Sequence, residues 1–345
     1  MLTLQLNYRF HLKDLIIYKI GKISISVRRI ILTPNFILIF ASFLIILTLG
    51  CSKRSSDSNI KLKWNPIQSL NEELPGGIKI FEAVDEQTPL KAWYMSVSLQ
   101  DTNISARVVA SDEISGRESV LSFANDLGAC VVVNGGFFRM DLNPTKHVGL
   151  LKVNGKVLKR ATPSVIRDSL RFYISRGAFG LNDDGKMDIA WVSSRNDSLF
   201  EWKEPFRNVP HKPVPKPDIS SAKFWEFSEA LSAGPILFAE GVSHVTSDEE
   251  VFFDTSIPNV HPRTAIGYTS EGDLLLLIVD GRQSDSRGVN LDELAQIMKS
   301  IGAVEALNLD GGGSSSIYAN GRLLNNPAGG SVQREVMSAI AIFCN

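Results

Sequence analysis

Leu274-Leu275-Leu276-Leu277-Ile278-Val279, stopping abruptly at Asp280-Gly281-Arg282, constrains this chain more than any other stretch. A strand with no polar face must be covered on both sides, so the run reads as a buried strand emptying into a polar loop. Asn290, with Glu293 three residues on, is a capping signal ahead of the apolar stripe Leu291, Leu294, Ala295, Met298 and Ile301, and Gly302 ends it. That pattern predicts a helix. A second strand is expected over 304–309, opening into Asp310-Gly311-Gly312-Gly313-Ser314-Ser315-Ser316. Strand, helix and strand of these lengths predict a right-handed crossover between parallel strands. The expected class is α/β (mixed α+β), a central mixed sheet flanked by helices with a parallel strand-helix-strand unit near the carboxyl end.

Further strands are expected over 92–99, 106–110, 130–133, 150–153, 172–174 and 189–192. Asn154-Gly155, Asp184-Gly185 and Asn320-Gly321 supply the residues that tolerate positive φ in hairpin turns. Five prolines between Glu204 and Asp218 exclude helix and central strand there and predict an extended surface loop. No repeat or low-complexity linker interrupts 75–345, which is read as one domain behind a linker over 52–74.

Residues 1–51 read as an anchor segment. No charge falls between Ile30 and Gly50, and Arg28-Arg29 precede the run, the layout of a secretory signal or a membrane anchor. Leu47-Thr48-Leu49-Gly50-Cys51 followed by a polar stretch resembles the lipobox of bacterial lipoproteins, which makes Cys51 the lipidated residue, although Thr48 stands where a branched apolar residue is usual. The other reading is an uncleaved transmembrane helix. Both predict a chain tethered to the membrane in the cell envelope, facing the periplasm or the exterior. Cys130 and Cys344 each sit in an apolar run; either they pair, if their strands are neighbours in an oxidising compartment, or they are two buried thiols. A net charge of −1 over 345 residues gives no reason to expect a nucleic-acid partner.

A parallel crossover would deliver Asp280 and Asp310 to one crevice, beside glycines that let a ligand approach the backbone. Paired carboxylates at such an edge suggest catalysis, where a single aspartate would read as a loop cap. No lysine follows Gly311, Gly312 and Gly313, so a nucleotide phosphate loop is excluded, and no glycine follows Ser314 at the spacing of a nucleophile elbow. The segment, with Ser314 and Ser315, is read as a backbone-lined anion or sugar site. Asn134, where a strand opens into Gly135-Gly136-Phe137-Phe138, and Arg263, in Pro262-Arg263-Thr264, fit the same crevice, and the planar forks of Arg263 and Arg282 suit phosphate oxygens. His147, His211, His244 and His261 show no metal-ligand spacing, so no transition metal is required; calcium or magnesium on Asp280 or Asp310 needs only oxygen ligands.

Taken in order, Asn134-Gly135-Gly136-Phe137-Phe138, Ser232-Ala233-Gly234-Pro235-Ile236-Leu237, Pro262-Arg263-Thr264-Ala265-Ile266-Gly267, Asp280-Gly281-Arg282 and Asn308-Leu309-Asp310-Gly311-Gly312-Gly313-Ser314-Ser315-Ser316 resemble the phosphodiester glycosidase family. The closing pattern, Arg334-Glu335-Val336-Met337-Ser338-Ala339, has Ser338 where an asparagine is common. The resemblance implies hydrolysis between an anomeric carbon and a phosphodiester oxygen, with N-acetylglucosamine as the favoured sugar and a glycan or sugar phosphate as substrate. Asp310 would activate water or attack the anomeric carbon, and Asp280 would steady the developing charge or share a proton. Two rivals stand beside it: a serine hydrolase using Ser314 with His261 or His244, and a non-catalytic surface protein that binds glycans.

Overall fold

The computed structural model describes residues 60–330 and 332–344, together with two short paired strands near the amino end, Ile17–Ile20 and Ile23–Ser26. The chain divides into two units, Met1–Asp57 and Ser58–Asn345. The predicted apolar anchor and Cys51 lie outside the described residues. Among the described residues no helix is long and apolar enough to cross a membrane.

The larger unit is built from sheets, which overturns the expected α/β class. One sheet runs, in spatial order, Ile236–Phe238, Glu305–Asn308, Arg263–Tyr268, Asp273–Val279, Leu90–Ser98, Ile78–Asp85 and Asn65–Pro66. A second sheet of seven has Arg176–Leu181 at its centre, and a third of five holds Val131–Asn134 between Ile317–Ala319 and Ser338–Cys344. Three short α-helices are described, Gln68–Glu73, Val120–Leu127 and Leu291–Ser300. Every named strand pair is antiparallel.

The parallel strand-helix-strand unit fails for a specific reason. The strand Arg263–Tyr268 lies between the two that were expected to pair, with Ala265 opposite both Leu277 and Asn308. Both outer strands run antiparallel to it, so they point the same way without touching as a parallel ladder. Its sequence hides it, because Arg263 and Gly267 interrupt the apolar pattern. Gly267 is required there: a Cβ would lie 2.5 Å from the Glu305 carbonyl oxygen and 2.8 Å from the Met298 side chain.

The all-apolar run is covered on both faces, as its composition demands, but by different layers. Leu274, Leu276 and Ile278 enter the core that holds Val131, Phe179 and Trp191 between the sheets. Leu275, Leu277 and Val279 face the helix through Leu291, Leu294 and Met298. At about 2 kcal/mol for each large apolar side chain removed from water, this strand is a principal source of stability. The helix starts as predicted: the Asn290 side chain accepts from the Glu293 N–H at 2.8 Å, and Glu293 accepts from the Asn290 N–H at 3.0 Å. Of the two readings of the cysteines, the paired one holds. Cys130 and Cys344 form a disulfide with Cα atoms 5.9 Å apart, joining the adjacent strands Val131–Asn134 and Ser338–Cys344.

Candidate active site

Because the strands that precede Asp280 and Asp310 point the same way, their ends open on one edge, with Arg263 at the start of the strand between them. There the two aspartates part company. Asp310 lies on the wall of a cavity of about 150 Å³ with Phe137, His261, Arg263, Arg282 and Arg334, while Asp280 does not line it. Asp280 is 1% exposed, and both its oxygens are taken: Oδ1 accepts from Asn325 Nδ2 at 2.8 Å and Oδ2 from the Asn326 N–H at 2.9 Å. Burial, above all, raises its pKa, and the bonds from Asn325 and Asn326 pull the other way. Its carboxylate pins the 325–326 loop to the strand end.

Asp310 is differently placed. Its backbone is laced to the Asn134 turn, through its N–H to the Gly135 carbonyl at 3.0 Å and its carbonyl to Asn134 Nδ2 at 2.7 Å. Its Oδ1 accepts from the Gly311 N–H at 3.0 Å. Burial pushes the carboxyl up to about 6, against the opposite pull of the Ser314 hydroxyl, Arg334 and the Gly311 N–H. Such a group changes its charge close to neutrality, as a catalytic acid or base must.

The positive side of the cavity is built without matching carboxylates. Arg263 is 3% exposed and spends three of its five N–H donors on backbone carbonyls: Nε on Val289 at 3.0 Å, and Nη2 on Ile257 at 2.7 Å and on Asn259. Burial and then the Arg282 charge lower its pKa to about 10, so it stays cationic near neutral pH. Arg282, at φ +61°, donates from Nη2 to His261 Nδ1 at 3.2 Å. A guanidinium only donates and a carbonyl only accepts, so His261 Nδ1 must be an acceptor while Nε2–H donates to the Ser256 carbonyl at 2.7 Å. That fixes a neutral imidazole, and burial lowers its pKa further, with Arg263 and Arg282 adding to the effect.

Two of the three glycines make room for arginines, and the third for a backbone carbonyl. A Cβ on Gly312 would sit 3.3 Å from the Arg282 guanidinium, one on Gly313 2.5 Å from Arg334, and one on Gly311 2.8 Å from the Pro262 carbonyl oxygen. Asn134 and Ser315 are fully buried behind this wall: Asn134 Oδ1 accepts from Thr264 Oγ1 at 2.7 Å, and Ser315 Oγ lies 3.2 Å from the same hydroxyl, to which it can donate. Ser314 is also buried, and each ring nitrogen of His261 already has a partner. His244 is bound at the surface by Glu249 at 3.0 Å. Neither histidine of the serine-hydrolase reading is therefore directed at Ser314.

The structure brings Asp310, Arg263, Arg282 and the three glycines, which the sequence placed in one crevice, to the wall of one cavity. The sequence leaves unassigned the part of Arg334, which stands in the closing segment outside any glycine turn, and of Ser256 and Ile257, whose loop carries no motif. Three guanidiniums facing one carboxylate suit an anionic ligand and oppose a cation, so the donor set does not fit calcium or magnesium. Among the described residues no group of three or more His, Cys, Asp or Glu gathers to hold a metal.

Residues 127–343 match the family model described as phosphodiester glycosidase. The N-acetylglucosamine-1-phosphodiester alpha-N-acetylglucosaminidase of Bos taurus is 28% identical over 214 residues, 61% of this chain and 35% of that protein. Its counterpart in Homo sapiens is 28% identical over 216 residues, covering 61% and 36%. The chain thus spans about a third of the length of these curated relatives. Among solved structures, the zebrafish N-acetylglucosamine-1-phosphodiester alpha-N-acetylglucosaminidase catalytic domain, auto-inhibited by its pro-peptide, superposes with a TM-score of 0.53 at 22% identity, covering 84% of this chain and 86% of that one. A Synechocystis protein superposes with a TM-score of 0.59 at 18% identity, covering 83% and 68%. At these identities the superpositions establish the fold alone.

Proposed function

This chain belongs to the phosphodiester glycosidase family, and from that premise we propose that it is an exported hydrolase cleaving the glycosidic bond of a sugar-1-phosphodiester, with an N-acetylglucosamine-like sugar favoured. The observation that carries the reading is the cavity itself, in which Asp310 is the one carboxylate among three arginines. A phosphodiester leaves readily once its charge is stabilised, so the site needs cations on the phosphate more than a strong acid on the leaving oxygen. Arg263, Arg282 and Arg334 supply that charge. Asp310, ionised above about pH 6, takes the proton of the water that attacks the anomeric carbon, and the electron pair of the broken C–O bond departs with the phosphodiester. Asp280 acts at one remove by holding the 325–326 loop.

Export rests on two features, the uncharged run from Ile30 to Gly50 and the Cys130–Cys344 disulfide, a bond that persists in oxidising compartments. On this proposal the amino end tethers the catalytic domain to the cell envelope, either through lipid on Cys51 or as a transmembrane helix.

The test is release of free sugar from N-acetylglucosamine-1-phosphodiesters by the full chain, run beside Asp310→Asn. Turnover that vanishes in the variant supports the enzyme. A folded protein that binds the phosphodiester and turns over none of it would support the glycan-binding reading instead.

A further inference from the structure

A cavity of about 540 Å³, sharing no residue with the arginine-lined one, opens on the second sheet beside its edge strand Lys223–Phe224. Its wall includes Phe224, Asn182, Lys152, Asp197 and Glu226. The volume lies in the range of small-ligand sites, roughly 300–1,000 Å³.

Phe224 is the informative residue. It is 68% exposed, unusual for a ring on a wall otherwise rich in polar groups. The ring is also held in place: Phe224 stands opposite Phe200 in the ladder, with ring centroids 4.8 Å apart and planes inclined by 33°. Phe200 is itself buried, at 4% exposure. Phe224 therefore packs on Phe200 while most of its surface stays open. On the wall of the same cavity the Asn182 amide is fixed, accepting from the Ser228 N–H at 2.8 Å and donating to the Glu226 carbonyl at 3.3 Å.

An aromatic platform beside a fixed amide and carboxylates fits a molecule that is apolar on one face and rich in hydroxyls at its rim. Asp197 is paired with Arg160 at 3.1 Å, and Lys152 and Glu226 carry opposite signs, so this wall gathers no cluster of cations for the phosphate-bearing end that the arginine cavity would take. We propose that this cavity is a second, non-catalytic site that binds a neutral saccharide, with one sugar ring stacked on Phe224. Such a site would hold a glycan chain on the enzyme independently of the bond being cut.

The experiment is calorimetric titration of the full chain with neutral tetrasaccharides of β-1,4-linked N-acetylglucosamine, of glucose and of mannose. At least one is expected to bind saturably. Asp310→Asn should bind it as well as the wild type does, and Phe224→Ala should weaken it by about tenfold or more, with an unchanged melting temperature showing that the variant is folded. Glu226→Gln, which leaves the ring in place, should weaken it by a few-fold. Absence of binding to all three sugars overturns the proposal, as does binding that Phe224→Ala leaves intact. Because none of these readouts requires turnover, they hold whether or not the hydrolase assignment survives.

Discussion

Replacing Asp310 by asparagine should stabilise this protein while abolishing its turnover. Burial moves the carboxyl from 3.8 to about 6, which means that folding disfavours the charged form. At about 1.4 kcal/mol for each tenfold change in acidity, the displacement amounts to about 3 kcal/mol. The sign follows from linkage: a folded pKa above the unfolded one gives a contribution fully present below pH 3.8 and lost as pH rises through 6. Wild type is therefore penalised at neutral pH, and Asp310→Asn, which has no proton to lose, is not. Asparagine can keep the contact with the Gly311 N–H through its own oxygen, and its amide N–H can donate to the Ser314 hydroxyl, which then acts as acceptor. Urea melts from pH 3 to pH 8 should show curves that coincide at the acid end, separate between about 4 and 6, and settle about 3 kcal/mol apart, or roughly 6 °C in melting temperature. A variant that is equally stable or less stable at pH 8 would refute the account of Asp310 as a strained, functional carboxyl.

Asp280→Asn should behave in the opposite way, because one of the two donors, Asn325 Nδ2 or the Asn326 N–H, would then face an amide NH₂; a loss of about 1–3 kcal/mol in urea unfolding is expected, exceeding any direct effect on chemistry. A thousandfold loss of kcat at unchanged stability would instead make Asp280 a catalytic group. Gly311→Ala should destabilise by about 1–3 kcal/mol, since its Cβ meets the Pro262 backbone at 2.8 Å, whereas Gly313→Ala displaces only the Arg334 side chain and should raise KM for the phosphodiester with little change in melting temperature. Reduction of the disulfide, or Cys130→Ala with Cys344→Ala, should cost up to about 5 kcal/mol by the loop-entropy model, given a separation of 214 residues; equal denaturation midpoints with and without reductant would contradict this.

What could be read from the sequence was what local physics decides. The capping pair Asn290 and Glu293 and the apolar stripe behind it specify their helix without help from the rest of the chain. The six-residue apolar run correctly announced two covered faces, but composition cannot say whether the cover is helix or sheet, and here it is one of each. Arg263–Tyr268 was invisible as a strand because a charge and a glycine are forced on it by its neighbours, the cavity at one end and the Met298 side chain at the other. That omission produced the false parallel pair. At the site, Asp280 and Asp310 carry the same signature, an aspartate and glycine closing a strand. Only the distant Asn325 and Asn326 distinguish the structural carboxylate from the one in the cavity. Arg334 reaches the same wall from a separate stretch of chain near the carboxyl end; the closing family pattern marks the residue, and the fold supplies its place at the cavity.

The way Arg263 is held has a bearing on how the site meets its ligand. Its neighbours are the carbonyls of Ile257, Asn259 and Val289, which are dipoles, so they solvate the guanidinium without cancelling its charge. A carboxylate partner would have turned the same side chain into a neutral pair, to be broken each time an anion arrived. Carbonyls act as a fixed solvent shell: the cation is held dehydrated and oriented, and an incoming anion displaces no counter-ion from Arg263. Attraction at this wall is therefore governed by the ionic strength outside, while the acidity of the medium acts separately through Asp310.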